Sequence, residues 1–266
     1  MRSGHITRRD TTPALESLLP TNIKLLCGNE MSEDLSTGHH SNPQQDDPCK
    51  YSKSIELASI PVDIRDAIDD SLRNFDQMAV VEDYLLHCLT FNTMGDREDE
   101  ISVAHEATFS WVLNEDAPSN SLTSWLKDGL QKVYWINGKP GSGKSTLMRF
   151  VYENPKTMEI LKVWAAEKSL ICPRFFFWTS GTIEQKSTSG LLRSLLYQLL
   201  QHFRELIPWV FSDFWLKYQD ARVRVREPIA WSVELLWPAL LRLLKLSNGV
   251  AKICFFIDGL DELEGN

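Results

Sequence analysis

The sequence predicts an α/β fold with a parallel sheet, and three observations carry that prediction. Short β-branched and aromatic runs alternate with long stretches of helical periodicity, the arrangement a parallel sheet needs because each crossover carries a helix. One run ends in a glycine-rich loop that opens a helix, and another ends in a group of acids. The first, Val133-Tyr134-Trp135-Ile136-Asn137, runs directly into Gly138 and reads as a buried strand. A helix is expected from near Gly143 through Leu147 and Phe150. Arg174 to Trp178 reads as a second strand, and Leu191, Leu192, Leu195, Leu196, Leu199 and Leu200 form a helical stripe. Beyond a Trp/Phe-rich stretch (Trp209, Phe211, Phe214, Trp215) and a basic loop at Arg222 to Arg226, a helix around Trp231 to Leu246 leads to the third strand, Ile253-Cys254-Phe255-Phe256-Ile257.

Upstream of this pattern the chain changes character. Residues 1–58 are rich in Ser, Thr, Asn, Gln, Asp and Pro without sustained periodicity, and read as an acidic, polar, disordered tail. Residues 59–100 read as a helical linker region, because Ile64, Ile68, Leu72 and Phe75, then Val80, Val81, Tyr84, Leu85, Cys88 and Leu89, recur every three or four residues. A polar, acidic break covers Asn92 to Glu100. Two further helical stretches follow, His105 to Leu113 and Ser121 to Leu130, and Trp111, Trp125 and Trp135 are expected in the core.

Charge excludes one class of function. Residues 1–100 hold 9 Lys/Arg against 19 Asp/Glu, which leaves 19 against 17 for residues 101–266. Neither portion has the basic stripe that phosphate contacts to nucleic acid require, so no nucleic-acid partner is expected. Five cysteines at irregular spacing, without a C-x-x-C pair, point to a reducing compartment, and no segment reads as a secretory leader or membrane span. The expected location is cytoplasmic.

Gly138-Lys139-Pro140-Gly141-Ser142-Gly143-Lys144-Ser145 satisfies G-x-x-x-x-G-K-[ST] at every fixed position, between a strand and a helix. Two Gly, one Lys and one Ser/Thr at that spacing arise by accident in roughly one per cent of chains of this length. Glycines let successive backbone N–H groups face inward and approach phosphate oxygens, and the helix that follows adds unpaired donors and the positive end of its dipole. A P-loop that binds ATP or GTP with Mg²⁺ is therefore expected, with Lys144 at the β- and γ-phosphates, Ser145 on Mg²⁺, and Thr146 completing the binding segment. The run ending in Asp258-Gly259-Leu260-Asp261-Glu262 has the form of the second NTPase motif, in which Asp258 meets Mg²⁺ beside Ser145. Gly259 stands where many P-loop enzymes carry a catalytic Glu, so Asp261 or Glu262 becomes the expected base for the attacking water. His105 on its helix, and an arginine supplied from Arg222, Arg224 and Arg226 to a neighbouring subunit, are weaker candidates than packing and a solvated loop.

Strand, Asp, small residue, apolar residue and Asp-Glu resembles the NACHT class of STAND signalling NTPases. The stretch Leu89-Thr90-Phe91, Arg97, Ile101, Ala104-His105, Thr108-Phe109, Trp111, Trp125-Leu126 and Tyr134-Trp135-Ile136 is similar to the nephrocystin-like NACHT proteins of filamentous fungi. Phe175-Phe176-Phe177 and Ser189 to Leu196 continue that similarity. The resemblance implies a partial NACHT domain at 101–266 and a sheet ordered 5-1-4-3-2, for which the chain up to Asn266 offers strands 1, 2 and 3. No strand is apparent for the slot between the two motif strands, so a gap or direct pairing of strands 1 and 3, a marginal fold and weak hydrolysis are expected. Two functions follow from the resemblance: a nucleotide-dependent switch in fungal immunity or heterokaryon incompatibility, or a non-enzymatic remnant. In either, self-association or contact with full-length relatives is the implied partnership.

Overall fold

Among the described residues five parallel strands organise the protein: β1 (Ile23–Glu30), β2 (Val133–Gly138), β3 (Ser169–Ile171), β4 (Arg174–Phe176) and β5 (Ala251–Asp258). They lie in the order β2, β1, β5, β3, with β4 also paired to β5. The structure is a computed structural model and describes residues 23–30, 61–71, 75–104, 106–114, 121–127, 132–219 and 228–263. The three runs expected as strands are β2, β4 and β5, and their pairings are all parallel.

The slot between β2 and β5 is filled, and by a segment from far upstream. β1 pairs Leu25 with Val133 through Glu30 with Gly138 on one side, and Ile23 with Ile253 through Cys27 with Ile257 on the other. Neither the expected gap nor direct pairing of the two motif strands occurs. The run lies inside the stretch read as a tail because its brief apolar core is interrupted by a lysine and diluted by polar neighbours. Lys24 is nevertheless buried, donating to the Trp125 carbonyl oxygen, with its ammonium 4.5 Å from the centroid of Trp125 and 5.0 Å from that of Trp164. Two aromatic faces and a carbonyl dipole take the place of water around the charge.

Eleven α-helices are described: α1 (Val62–Ser71), α2 (Phe75–Leu89), α3 (Asp96–Glu100), α4 (Glu106–Phe109), α5 (Leu122–Lys127), α6 (Lys144–Glu153), α7 (Pro155–Ala165), α8 (Thr188–His202), α9 (Ile207–Val210), α10 (Ser212–Gln219) and α11 (Val233–Leu246). They form two apolar cores, one per face of the sheet. Ile23, Phe175, Ile253, Phe255 and Ile257 pack with Ile68, Leu85, Leu196 and Leu243, so the helices of the 59–100 stretch share a core with the sheet. Leu26, Ile136, Cys254 and Phe256 pack on the other face with Leu126, Met148 and Leu161. The alternation along β5 is the two-residue period of a strand buried on both faces. Each large apolar side chain so buried contributes about 1.5–3 kcal/mol before the entropy of ordering it.

Local chemistry sets several boundaries. α7 starts where Asn154 caps it, Oδ1 accepting from Lys156 N at 2.9 Å, with Pro155 in the first helical position. α8 starts at Ser187, whose Oγ accepts from Gly190 N at 3.1 Å. The outer edge of β4 is covered by one amide: Gln198 accepts from Arg174 N at 3.0 Å and donates to Arg174 O at 2.8 Å, as a neighbouring strand would.

Among the tryptophans, Trp125 is buried and Trp135 half-buried, but Trp111, expected in the core, is 49% exposed. The 3₁₀ turn at Ser110–Leu113 directs Val112 and Leu113 inward and leaves Trp111 outside. The break at Asn92 to Glu100 contains α3, a helix too short and polar for periodicity to reveal. Cys27, Cys88, Cys172 and Cys254 are unpaired; burial pushes the Cys172 thiol up to about 12 and raises those of Cys27 and Cys254 further, so none of these three is poised as a nucleophile. Among the described residues no helix is long and apolar enough to cross a membrane.

Candidate functional site

β2 and α6 are joined by the glycine-rich loop. Gly141 and Gly143 adopt positive φ, 70° and 85°, conformations in which a side chain would be strained, and Gly143 turns the chain into α6. Lys139, Pro140 and Gly141 are exposed, whereas Lys144, Ser145 and Thr146 are half-buried in the first turn of α6. The Lys144 ammonium folds back over the loop, donating to Gly138 O at 3.0 Å and Lys139 O at 3.1 Å. The start of a ten-residue helix presents backbone N–H groups without helical acceptors on the same side.

β5 carries Asp258 to the same end of the sheet. It is 2% exposed, and the nearby Ser145 hydroxyl favours its charged form. The glycine-rich loop and the acidic strand end, 113 residues apart in sequence between Ser145 and Asp258, therefore lie close together at one end of the sheet. Burial pushes the Asp258 carboxyl above its ordinary value near 3.8, and the nearby Glu262 charge adds to that; the Ser145 hydroxyl and the positive charges of Arg97 and Lys144 oppose it. Beyond Asp258, Gly259 takes φ of 72°, and a Cβ there would stand 3.2 Å from Phe177 Cβ, so glycine is the residue the turn accepts. The 3₁₀ turn Leu260–Glu262 then leaves Asp261 exposed and returns Glu262, whose Oε2 accepts from Thr179 N at 2.7 Å and Thr179 Oγ1 at 2.9 Å.

Two residues without an expected role join this group. Thr179 holds Glu262 from the segment after β4. Arg97, on α3, lies over the Trp178 ring at 5.6 Å, and its charge acts on Asp258. Its buried Nε has no hydrogen-bond partner among the described residues. Arg149 of α6 fixes α3 by donating to Glu98 O at 2.7 Å and Ile101 O at 2.6 Å, satisfying carbonyls at the end of that helix, while Glu98 pairs with Arg174 at 2.6 Å. The acidic break thus positions a cation, a result of tertiary contacts that no local pattern announces. His105 and Arg222, Arg224 and Arg226 lie outside the described residues.

The donor set fits one kind of metal. Among the described residues no group of three or more His, Cys, Asp or Glu could hold an ion. One buried carboxylate beside one hydroxyl suits a hard cation that keeps waters and takes its other ligands from phosphate, as Mg²⁺ does. A cleft of about 500 Å³ lined by Tyr152, Lys162, Cys172, Arg174, Tyr197 and His202 contains none of these residues.

The burial of Asp258 has a direct consequence for stability. Because its folded-state value is raised, the folded chain binds more protons than the unfolded one from about pH 3.8 up to that raised value, and stability from this group falls as pH rises through the window. Asp258→Asn removes the burden while keeping the size and shape of the side chain. The variant should melt close to the parent below pH 3.8 and higher than it at pH 7. A lower melting temperature at pH 7 would contradict the assignment of desolvation as the dominant influence.

A sequence profile of the family described as Nephrocystin 3, N-terminal, matches residues 107–266. No curated protein and no solved structure matches the chain. The profile spans more than half of the sequence, from α4 through the acidic turn after β5, and the chain belongs to the nephrocystin 3 N-terminal family.

Proposed function

We propose that this chain is a nucleoside-triphosphate-binding module of NACHT type, taking ATP or GTP with Mg²⁺ and serving a signalling switch of the kind used in fungal immunity or heterokaryon incompatibility. The observation that carries the reading is that the glycine-rich loop after β2 and the buried Asp258 at the end of β5 lie at one end of the same parallel sheet, with the Lys144 and Ser145 side chains near enough to Asp258 to act on its carboxyl. On this reading Gly138 to Thr146 cradle the phosphates, Lys144 turns from the loop carbonyls toward them, and Ser145 and Asp258 hold Mg²⁺. Arg97 contributes a second positive charge to the same end of the sheet. Nucleotide exchange and self-association, or contact with full-length relatives, would carry the signal. Binding of fluorescent ATP and GTP to the 266-residue chain, titrated with and without Mg²⁺, tests this directly; absence of saturable binding by either nucleotide rejects it.

A second reading, binding with little or no hydrolysis, is favoured by one observation: Glu262 is engaged by Thr179 through both backbone N–H and hydroxyl. A base so held must be released before it can take a proton from water. If Glu262 is the base, Glu262→Gln should keep nucleotide affinity within about threefold and lower phosphate release by about a hundredfold. Parental turnover in that variant would move the role to Asp261 or another group, and no turnover in the parent would favour the second reading.

A further inference from the structure

β1 passes directly beside the acidic centre, and the residue it presents there has no side chain. Gly28 is buried, and a Cβ built on it would lie 2.3 Å from Asp258 Oδ1, 3.4 Å from Asp258 Cγ and 3.6 Å from Asp258 Cα. Carbon does not approach oxygen so closely without displacement, so one of the two must move. The strand has little room to do so. Gly28 is in register with Ile136 of β2, and the preceding Cys27 is in register with Ile257 of β5, so the backbone is held by a ladder on each side. The carboxylate, turning about two side-chain torsions, is the part that yields. Its displacement would carry it away from the volume it now fills beside Ser145.

We propose that Gly28 is a positioning residue for the candidate metal carboxylate: its bare backbone leaves the space in which Asp258 is held toward Ser145, so the acidic centre depends on a strand more than two hundred residues upstream of it. The steric part of this inference stands on the packing alone, and its consequence for metal rests on the nucleotide reading above. By sequence pattern residue 28 falls in a polar tail, where a glycine carries no role.

The test is a double-mutant cycle in the 266-residue chain, with Gly28→Ala, Asp258→Ala and the pair compared by thermal unfolding. Gly28→Ala should lower the melting temperature by roughly 4–8 °C when Asp258 is intact and by less than about 1 °C in the Asp258→Ala background, where the clashing carboxylate is gone. If Gly28→Ala alone does not fold, recovery of folding in the double variant reports the same coupling. Gly249→Ala, where a Cβ meets nothing within 4 Å, is the control and should behave alike in both backgrounds. Equal losses from Gly28→Ala in the two backgrounds overturn the proposal. Mn²⁺ paramagnetic resonance with ATP present supplies the second readout. Folded Gly28→Ala should bind Mn²⁺ about tenfold more weakly while metal-free nucleotide binding is unchanged. Parental Mn²⁺ affinity in that variant rejects the positioning role. If the parent binds no nucleotide with or without metal, the proposed function fails, and the unfolding cycle still decides whether Gly28 holds Asp258.

Discussion

Lys144→Ala is expected to weaken binding of Mg²⁺-ATP or Mg²⁺-GTP by about a hundredfold. The ammonium makes hydrogen bonds of 3.0 and 3.1 Å to Gly138 O and Lys139 O, an arrangement that keeps its charge at the mouth of the loop. Phosphate oxygens are stronger acceptors for a cation than neutral carbonyls, and a charge-assisted bond is worth about 1.5–3 kcal/mol net. At about 1.4 kcal/mol per factor of ten, loss of one or two such bonds, partly compensated by water, gives the hundredfold figure. The fold should be indifferent, because the loop's shape resides in the positive-φ glycines at 141 and 143 rather than in the lysine. Calorimetric titration beside a thermal melt separates the two effects. Unchanged affinity in a variant that melts like the parent would remove Lys144 from the phosphate site.

The parts of this protein legible in its sequence are those encoded by neighbours in the chain. The loop at Gly138 to Ser145 follows from glycine conformations and residues within eight positions of one another. β2, β4 and β5 follow from β-branched and aromatic runs, and α8 from a leucine stripe. β1 is hidden because its signal spans only eight residues and contains Lys24, whose burial depends on Trp125 and Trp164 more than a hundred positions away. α3 is hidden for a related reason, since a five-residue acidic helix persists by docking on Arg149 and Arg174. Sequence distance also hides the pairing of Thr179 with Glu262: they are 83 positions apart, and neither belongs to a pattern that names the other. Periodicity and motif spacing report local propensity, whereas these contacts come from closure of the sheet.

The strongest consequence of that closure is that Leu26→Asp should abolish cooperative folding of the 266-residue chain. Leu26 is fully buried at the middle of β1, in register with Tyr134 of β2 and Phe256 of β5. It belongs to the core formed with Leu126, Met148 and Leu161, and Lys24, two residues away along the strand, is already engaged by the Trp125 carbonyl and two rings. The substitution removes an apolar side chain worth about 1.5–3 kcal/mol and adds a charge whose burial costs several kcal/mol more, or forces it to take up a proton. A domain of this kind is stable by only about 5–15 kcal/mol, so the change consumes much of the margin. If β1 leaves instead, β2 and β5 each expose a row of unpaired N–H and C=O groups beside apolar side chains, and association between copies follows. Both routes predict loss of the sigmoidal melt by circular dichroism and a shift to large species on size exclusion. Val163→Asp, at a position 78% exposed on α7, is the comparison. It should alter stability by no more than about 0.5 kcal/mol. A tail would tolerate an aspartate at position 26 as readily as α7 tolerates one at 163. A Leu26→Asp chain that stays monomeric and melts within about 2 °C of the parent would place β1 outside the sheet, and the Gly28 coupling to Asp258 would fall with it.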